Sequence, residues 1–145
     1  MGYKNPIQDL TTAFYNLIDG ISVPVYKESV PIDEVGNHVI IRAESQTTEK
    51  NNSAFFTSAI IITEVVTIFE TIVNRSTVDE IDNEITELLM PTPNTYGINL
   101  TDNHQITDIQ LQTSTYLHDT DGVKRYYSKI SRYEFFINQT INLTS

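Results

Sequence analysis

The run from Ala54 to Phe69 constrains this chain more than any other segment. Its even positions carry Phe56, Ile60, Ile62, Val66 and Ile68, and its odd positions carry Thr57, Ala59, Ile61, Thr63, Val65, Thr67 and Phe69. A period of two is the mark of a β-strand, because successive side chains point to opposite faces. Apolar residues on both faces predict a central strand covered on both sides. A strand of this length needs long partners, and the flanking sequence supplies them. Residues from His38 to about Thr48 read as a strand opening on Val39-Ile40-Ile41, turned into the long run by Lys50-Asn51-Asn52-Ser53. Ile106 to Leu117 alternates, with Ile109, Leu111 and Leu117 on one side and Asp108, Gln110 and Gln112 on the other. Asp119-Thr120-Asp121-Gly122 has hairpin-turn chemistry. Val123 to Asn138 is the return strand, with Tyr127, Tyr133, Phe135 and Ile137 on one face.

Two helices complete the pattern. Asn5-Pro6 has the form of a helix start, with Asn able to cap and Pro suited to the first helical position. Ile7, Leu10, Phe14, Leu17 and Ile18 follow at steps of three and four, and Gly20 supplies a stop. Ser76-Thr77-Val78-Asp79 resembles a capping box opening the second helix. Its apolar stripe is Val78, Ile81, Ile85, Leu88 and Leu89, and Met90-Pro91-Thr92-Pro93 ends it. Between the helices, Val23-Pro24-Val25-Tyr26 is a short extended piece, and Pro24 assigns it to a sheet edge or a strand start. Pro31 to Asn37 is a connector with a Gly36-Asn37 turn signal, and Asn94 to Asn103 is a loop. Residues 139–145 read as a frayed tail or an exchange arm.

The expected fold is α/β (α+β): a mostly antiparallel β-sheet of four to five strands with two helices packed on one face. A length of 145 residues suits one domain, 1–145. The absence of cysteine excludes disulfides, thiolate zinc sites and a cysteine nucleophile. Neither a signal peptide nor a myristoylation motif is expected at Met1-Gly2-Tyr3-Lys4-Asn5-Pro6, and Ala59-Ile60-Ile61-Ile62 is far too short to cross a bilayer. No membrane partner is therefore expected.

Reactive chemistry is hard to find. Asp79, Glu80, Asp82, Glu84 and Glu87 lie on the polar side of the second helix, where a solvated or partner-binding face is expected rather than an acid–base pair. The Asp119–Gly122 segment resembles the start of a calcium loop, but Glu does not follow until Glu134 and strands flank it, so it reads as a turn. His38, His104 and His118 lack metal-ligand spacing, and no glycine-rich phosphate loop or G-x-S-x-G motif occurs. Neither catalysis nor a cofactor or metal is expected.

The distinctive charge feature is a strand. Lys124, Arg125, Lys129 and Arg132 make four of nine basic residues in a chain of formal net charge -10. Tyr126, Tyr127 and Tyr133 are interleaved with them. Basic and aromatic residues together suit single-stranded nucleic acid or an acidic protein neighbour. The global charge favours the neighbour, while the plainest alternative pairs these bases with acids of their own chain. A ring needs two different complementary patches on each copy. The expected pair is Lys124, Arg125, Lys129 and Arg132 against Asp79, Glu80, Asp82, Glu84 and Glu87.

The order of elements resembles the tail terminator (tail completion) proteins of long-tailed bacteriophages and the related head–tail joining proteins. The likeness spans residues 7–138. It is carried by Phe14-Tyr15-Asn16-Leu17-Ile18, then Val23-Pro24-Val25-Tyr26, the strand around Ile60-Ile61-Ile62, the helix Val78 to Leu89 and the Asp121-Gly122 hairpin. The segment 49–53 is short and polar and the connection 90–105 is long, so loop roles are not carried over. The resemblance implies a homo-oligomeric ring, commonly a hexamer, on the end of the tail tube within the virion. Such a ring stops polymerisation of the tail tube protein and offers a docking surface to the head connector or neck protein. DNA passes through the lumen without specific binding, and assembly takes place in the host cytoplasm. The resemblance implies no cofactor. The rival readings are another neck or connector ring subunit, and a monomeric intracellular module that binds a ligand or peptide.

Overall fold

The structure is a computed structural model that describes residues 3–31, 36–51, 54–69, 75–101, 103–122 and 124–140. Its elements run α1 (Ile7–Ile18), β1 (Val25–Lys27), β2 (His38–Lys50), β3 (Ala54–Phe69), α2 (Arg75–Leu89), β4 (His104–Asp121) and β5 (Lys124–Thr140). The strands form one sheet of order β1-β2-β3-β5-β4. β1 and β2 are parallel; every other neighbouring pair is antiparallel. This is the expected α+β architecture, and β3 is central.

Both helices lie on the odd face of β3. Leu10, Phe14 and Ile18 of α1 and Val78, Ile81, Ile85 and Leu89 of α2 share one core with Ala59, Ile61 and Val65 of β3, Tyr133, Phe135 and Ile137 of β5, and Val39 and Ile41 of β2. Each helix thus buries one stripe, as amphipathic spacing requires. The expectation that β3 is covered twice is corrected. Among the described residues no helix lies on the even face, where Ile60 and Ile62 are half-buried and Phe56 is 43% exposed.

Several local expectations shift. Pro6 occupies the cap position of α1, and Asn5 Oδ1 accepts the Ile7 N–H at 3.0 Å. Pro24 stands immediately before edge strand β1, and its carbonyl accepts the Val39 N–H at 2.9 Å. α2 begins at Arg75, so Ser76 lies inside the first turn and is not its cap. Leu88 points away from the core and is 40% exposed. β5 continues through Gln139, which is buried, and Thr140, so the strand outlasts its expected end; residues 141–145 lie outside the described residues. The Pro31 to Asn37 connector and the Lys50 to Ser53 turn also fall partly outside them, at 32–35 and 52–53.

β4 holds the most instructive difference. Its register on β5 shifts between Ile106 and Asp108 and again between Leu111 and Thr113. Each shift inserts an extra residue and exchanges the faces of all that follow. Ile109 pairs with Phe135 on the helix side, but past the second shift Tyr116 pairs with Lys129 on that side and Leu117 points the other way, 50% exposed. Strict alternation had placed Leu117 with Ile109.

Two contacts fix the layers. Gly97 lies against the end of α2, its N–H donating to the Leu89 carbonyl at 3.0 Å; a Cβ there would come within 2.0 Å of the Leu88 carbonyl oxygen. The fully buried His104 ring ties α1 to the start of β4, with Nδ1 3.1 Å from Asp9 Oδ2 and Nε2 2.8 Å from the Lys4 carbonyl. At the other end of β4 the hairpin closes between Asp121 and Lys124, and Gly122 adopts a φ of 61° there.

Candidate assembly interface

Period two divides the basic residues of β5 between two faces. Lys129 is odd-numbered like Tyr133 and Phe135 and faces the helices. Arg132 is even-numbered and faces the open side. Lys129 is 13% exposed, with Nζ 2.8 Å from Asp82 Oδ2 and 3.5 Å from Asp79 Oδ1. Its ammonium also sits 5.3 Å from the centre of the Tyr116 ring. Asp82 is 3% exposed and lies at 3.5 Å from Ser131 Oγ. Asp79 accepts the Tyr116 hydroxyl at 2.6 Å and meets Arg75 Nε at 3.6 Å. The structure therefore brings part of the expected acidic helix and basic strand together inside one chain.

The electrostatics of this cluster follow from its geometry. The Tyr116 hydrogen bond holds the Asp79 carboxyl below the usual carboxylate range, and Lys129 and Arg75 add to this against the cost of partial burial. Burial pulls the Lys129 ammonium down, but the hydrogen bond and charge of Asp82 outweigh it and leave the group raised. Tyr133 stands beneath, and burial pushes its phenol up. Thr63 and Ser131 lie close enough to its hydroxyl to draw the phenol partly back, yet neither that hydroxyl nor Thr63 Oγ1 makes a hydrogen bond of full geometry among the described residues. An unpaired buried hydroxyl costs free energy. Tyr133→Phe should accordingly stabilise the chain, by about 1 kcal/mol. A urea midpoint that falls instead of rising would show that the hydroxyl is paired in solution.

The remaining expected residues disperse. Arg132 pairs with Glu44 at 2.5 Å on the open side. Glu84 takes the Ser22 hydroxyl at 2.5 Å and its N–H at 3.3 Å. Glu80 and Glu87 are exposed on α2, and Lys124 and Arg125 stand beside the β4–β5 turn. Asp82 had been assigned to the polar side of α2. Its spacing of four from Val78 and three from Ile85 puts it on the buried stripe, which was readable in the sequence.

The open face carries a shallow groove of about 360 Å³ lined by Phe56, Ser58, Thr107, Glu134 and Phe136. Of its two carboxylates, Glu49 and Glu134, the second is already engaged: it accepts from the Ser58 hydroxyl and from Gln112 Nε2. No cluster of three or more metal-ligating side chains occurs among the described residues, and no helix of the structure is long and apolar enough to cross a membrane. Strands longer than a small monomer requires suit sheet extension between subunits, and the structure locates the two edges concerned, whose residues were not among those expected at an interface. β1 covers β2 only at Val39, Ile40 and Ile41. β4 presents an exposed outer edge from Gln110 to Thr120, interrupted by the half-buried Tyr116. The sequence signal for that edge is a long alternating run without proline or lysine.

No protein-family model matches the chain, and no curated protein sequence matches it. Among solved structures, one chain in the virion of a native gene transfer agent (GTA) particle is similar. The TM-score is 0.67 at 12% identity, over 92% of this chain and 99% of that one. At this identity the likeness is one of fold.

Proposed function

We propose that this chain is a virion structural protein of a tailed phage or phage-like particle, forming a homo-oligomeric ring that terminates the tail tube and connects it to the head or neck. DNA passes through the lumen. The observation that carries this reading is the near-complete match of fold to a chain of the GTA virion. The order of elements described above, which resembles the terminator family, supports it independently. A net charge of -10 suits a passage along which DNA slides without being gripped. The chain works by shape and self-association, without a cofactor.

The reading is tested by mixing the purified chain with tail tube protein from the same particle. Native mass and negative-stain images should show rings seated on tube ends, and tubes should stop growing at a defined length. A chain that stays monomeric while the tubes grow unchecked would end this reading. Rings that form but ignore the tube would transfer it to another neck subunit.

A further inference from the structure

We infer that copies of this chain join edge to edge, residues 110–115 of β4 in one copy pairing antiparallel with residues 45–50 of β2 in the next. The inference rests on the ring reading above and names the contact that reading leaves open. It begins with the backbone. An edge strand exposes a row of unpaired N–H and C=O groups, and soluble proteins shield such rows with lysine, proline or a covering element. Gln110 to Thr120 has neither lysine nor proline, and the bulge between Leu111 and Thr113 is its one irregularity. On the far side of the sheet, Ala43 donates its N–H to Glu28 Oε1 at 3.3 Å, and beyond it no strand pairs with the outer side of β2 among the described residues. Residues 44–50 are all exposed. Among the described residues each copy thus presents two different edges with no strand beside them, which is what a head-to-tail contact requires.

Direction and chemistry agree. From β2 through β3 and β5 to β4 every pairing is antiparallel, so β2 and β4 run in opposite senses. A neighbour placed beside β4 by rotation presents its β2 antiparallel, and the alternation continues across the seam. Gln110-Leu111-Gln112-Thr113-Ser114-Thr115 carries no charge, and Ser45-Gln46-Thr47-Thr48 carries none either. No like charges are opposed over that overlap, and cross-strand Thr and Ser pairs are favourable.

The stagger follows from the requirement of closure. Across the sheet, Gln110 shares a row with Glu134, Ile60 and Ser45. In the proposed seam Gln110 lies beside Lys50 of the next copy, a slip of about five residues. Nearer the start of β4 a slipless seam would meet Tyr96, whose hydroxyl donates to Asp108 at 2.8 Å. Four strands at about 4.8 Å spacing and a rise of about 3.3 Å per residue convert that slip into a strand tilt of about 40°. Closed sheets tilt by about 35–45°. A slip of about five residues is thus the one for which the two edges meet at the tilt of a closed sheet.

Two variants test the seam. Thr113→Lys with Thr115→Lys blocks the β4 edge; Ser45→Lys with Thr47→Lys blocks the β2 edge. All four side chains face the open side, and circular dichroism with thermal melting checks that each variant folds. Each variant alone should lose rings on tube ends. A mixture of the two should give dimers in sedimentation, since each retains one native edge. Hydrogen exchange of wild-type rings should show protection gained at 45–50 and 110–115. Variants that form rings as the wild type does, or protection gained only elsewhere, would overturn the seam and leave the ring reading standing. A wild-type chain that remains monomeric beside tube protein would overturn both.

Discussion

Lys129→Met should destabilise the chain by about 3–5 kcal/mol. The side chain keeps most of its length and volume, so little packing is lost. What changes is Asp82, 3% exposed and left without the ammonium at 2.8 Å. Removing one partner of a buried pair strands a charge in a poor solvent, and that cost exceeds the net worth of the pair. The double variant Lys129→Met with Asp82→Leu should therefore recover most of the loss. Urea unfolding of the four members of this cycle measures the coupling directly. A single-variant loss below about 1 kcal/mol would mean that Asp82 finds water or another donor. The pH dependence follows from the directions of the shifts. Lys129 is raised in the folded chain, so its contribution is complete below its unfolded value and disappears as pH rises through the folded one. Asp79 is held low, so its smaller contribution is present above its unfolded value and is lost as pH falls through the folded one. The gap between wild type and Lys129→Met should thus narrow in strong alkali.

Phe14→Ala is the second large effect, at about 3–5 kcal/mol. Phe14 is fully buried at the centre of α1. Its ring stands 6.2 Å from Tyr133 at an interplanar angle of 75°, and 5.7 Å from Phe135 at 61°. Edge-to-face pairs contribute about 0.5–1.5 kcal/mol each beyond burial. This one side chain therefore carries much of the contact between α1 and β5. Domains of this size are stable by about 5–15 kcal/mol in total, so the variant should unfold at a markedly lower temperature. Phe14→Leu should recover most of the loss because it refills the volume. A melting point within about 3 °C of wild type for Phe14→Ala would show that α1 is not held at this position.

Much of this fold was legible because periodicity and burial agree along α1 and β3. Leu10, Phe14 and Ile18 are spaced for one helix face, and Ala59, Ile61, Thr63 and Val65 for one strand face, and these are the positions that the core takes up. The order β3-β5-β4 was not legible, because hairpin chemistry at Gly122 joins β4 to β5 without saying which of them meets β3. Leu117 misled because a bulge is a backbone event with no residue signature at Gln112. The charged strand misled in another way: four basic residues close in sequence look like one patch until the pleat separates Lys129 from Arg132. Asp82 shows the converse, a charge on an apolar stripe whose partner, Lys129, lies far away in sequence and becomes evident only when the helix is laid on the sheet.

A last consequence concerns the proportions of the layers. β4 has 18 residues and β5 has 17, whereas α1 has 12 and α2 has 15. A strand residue advances about twice as far as a helical one, so the sheet extends well past its helical cover. Such a sheet bears mechanical load in a particular way. Tension applied along the strands strains all the backbone bonds of a strand pair together, in shear, rather than peeling them one by one like a zipper.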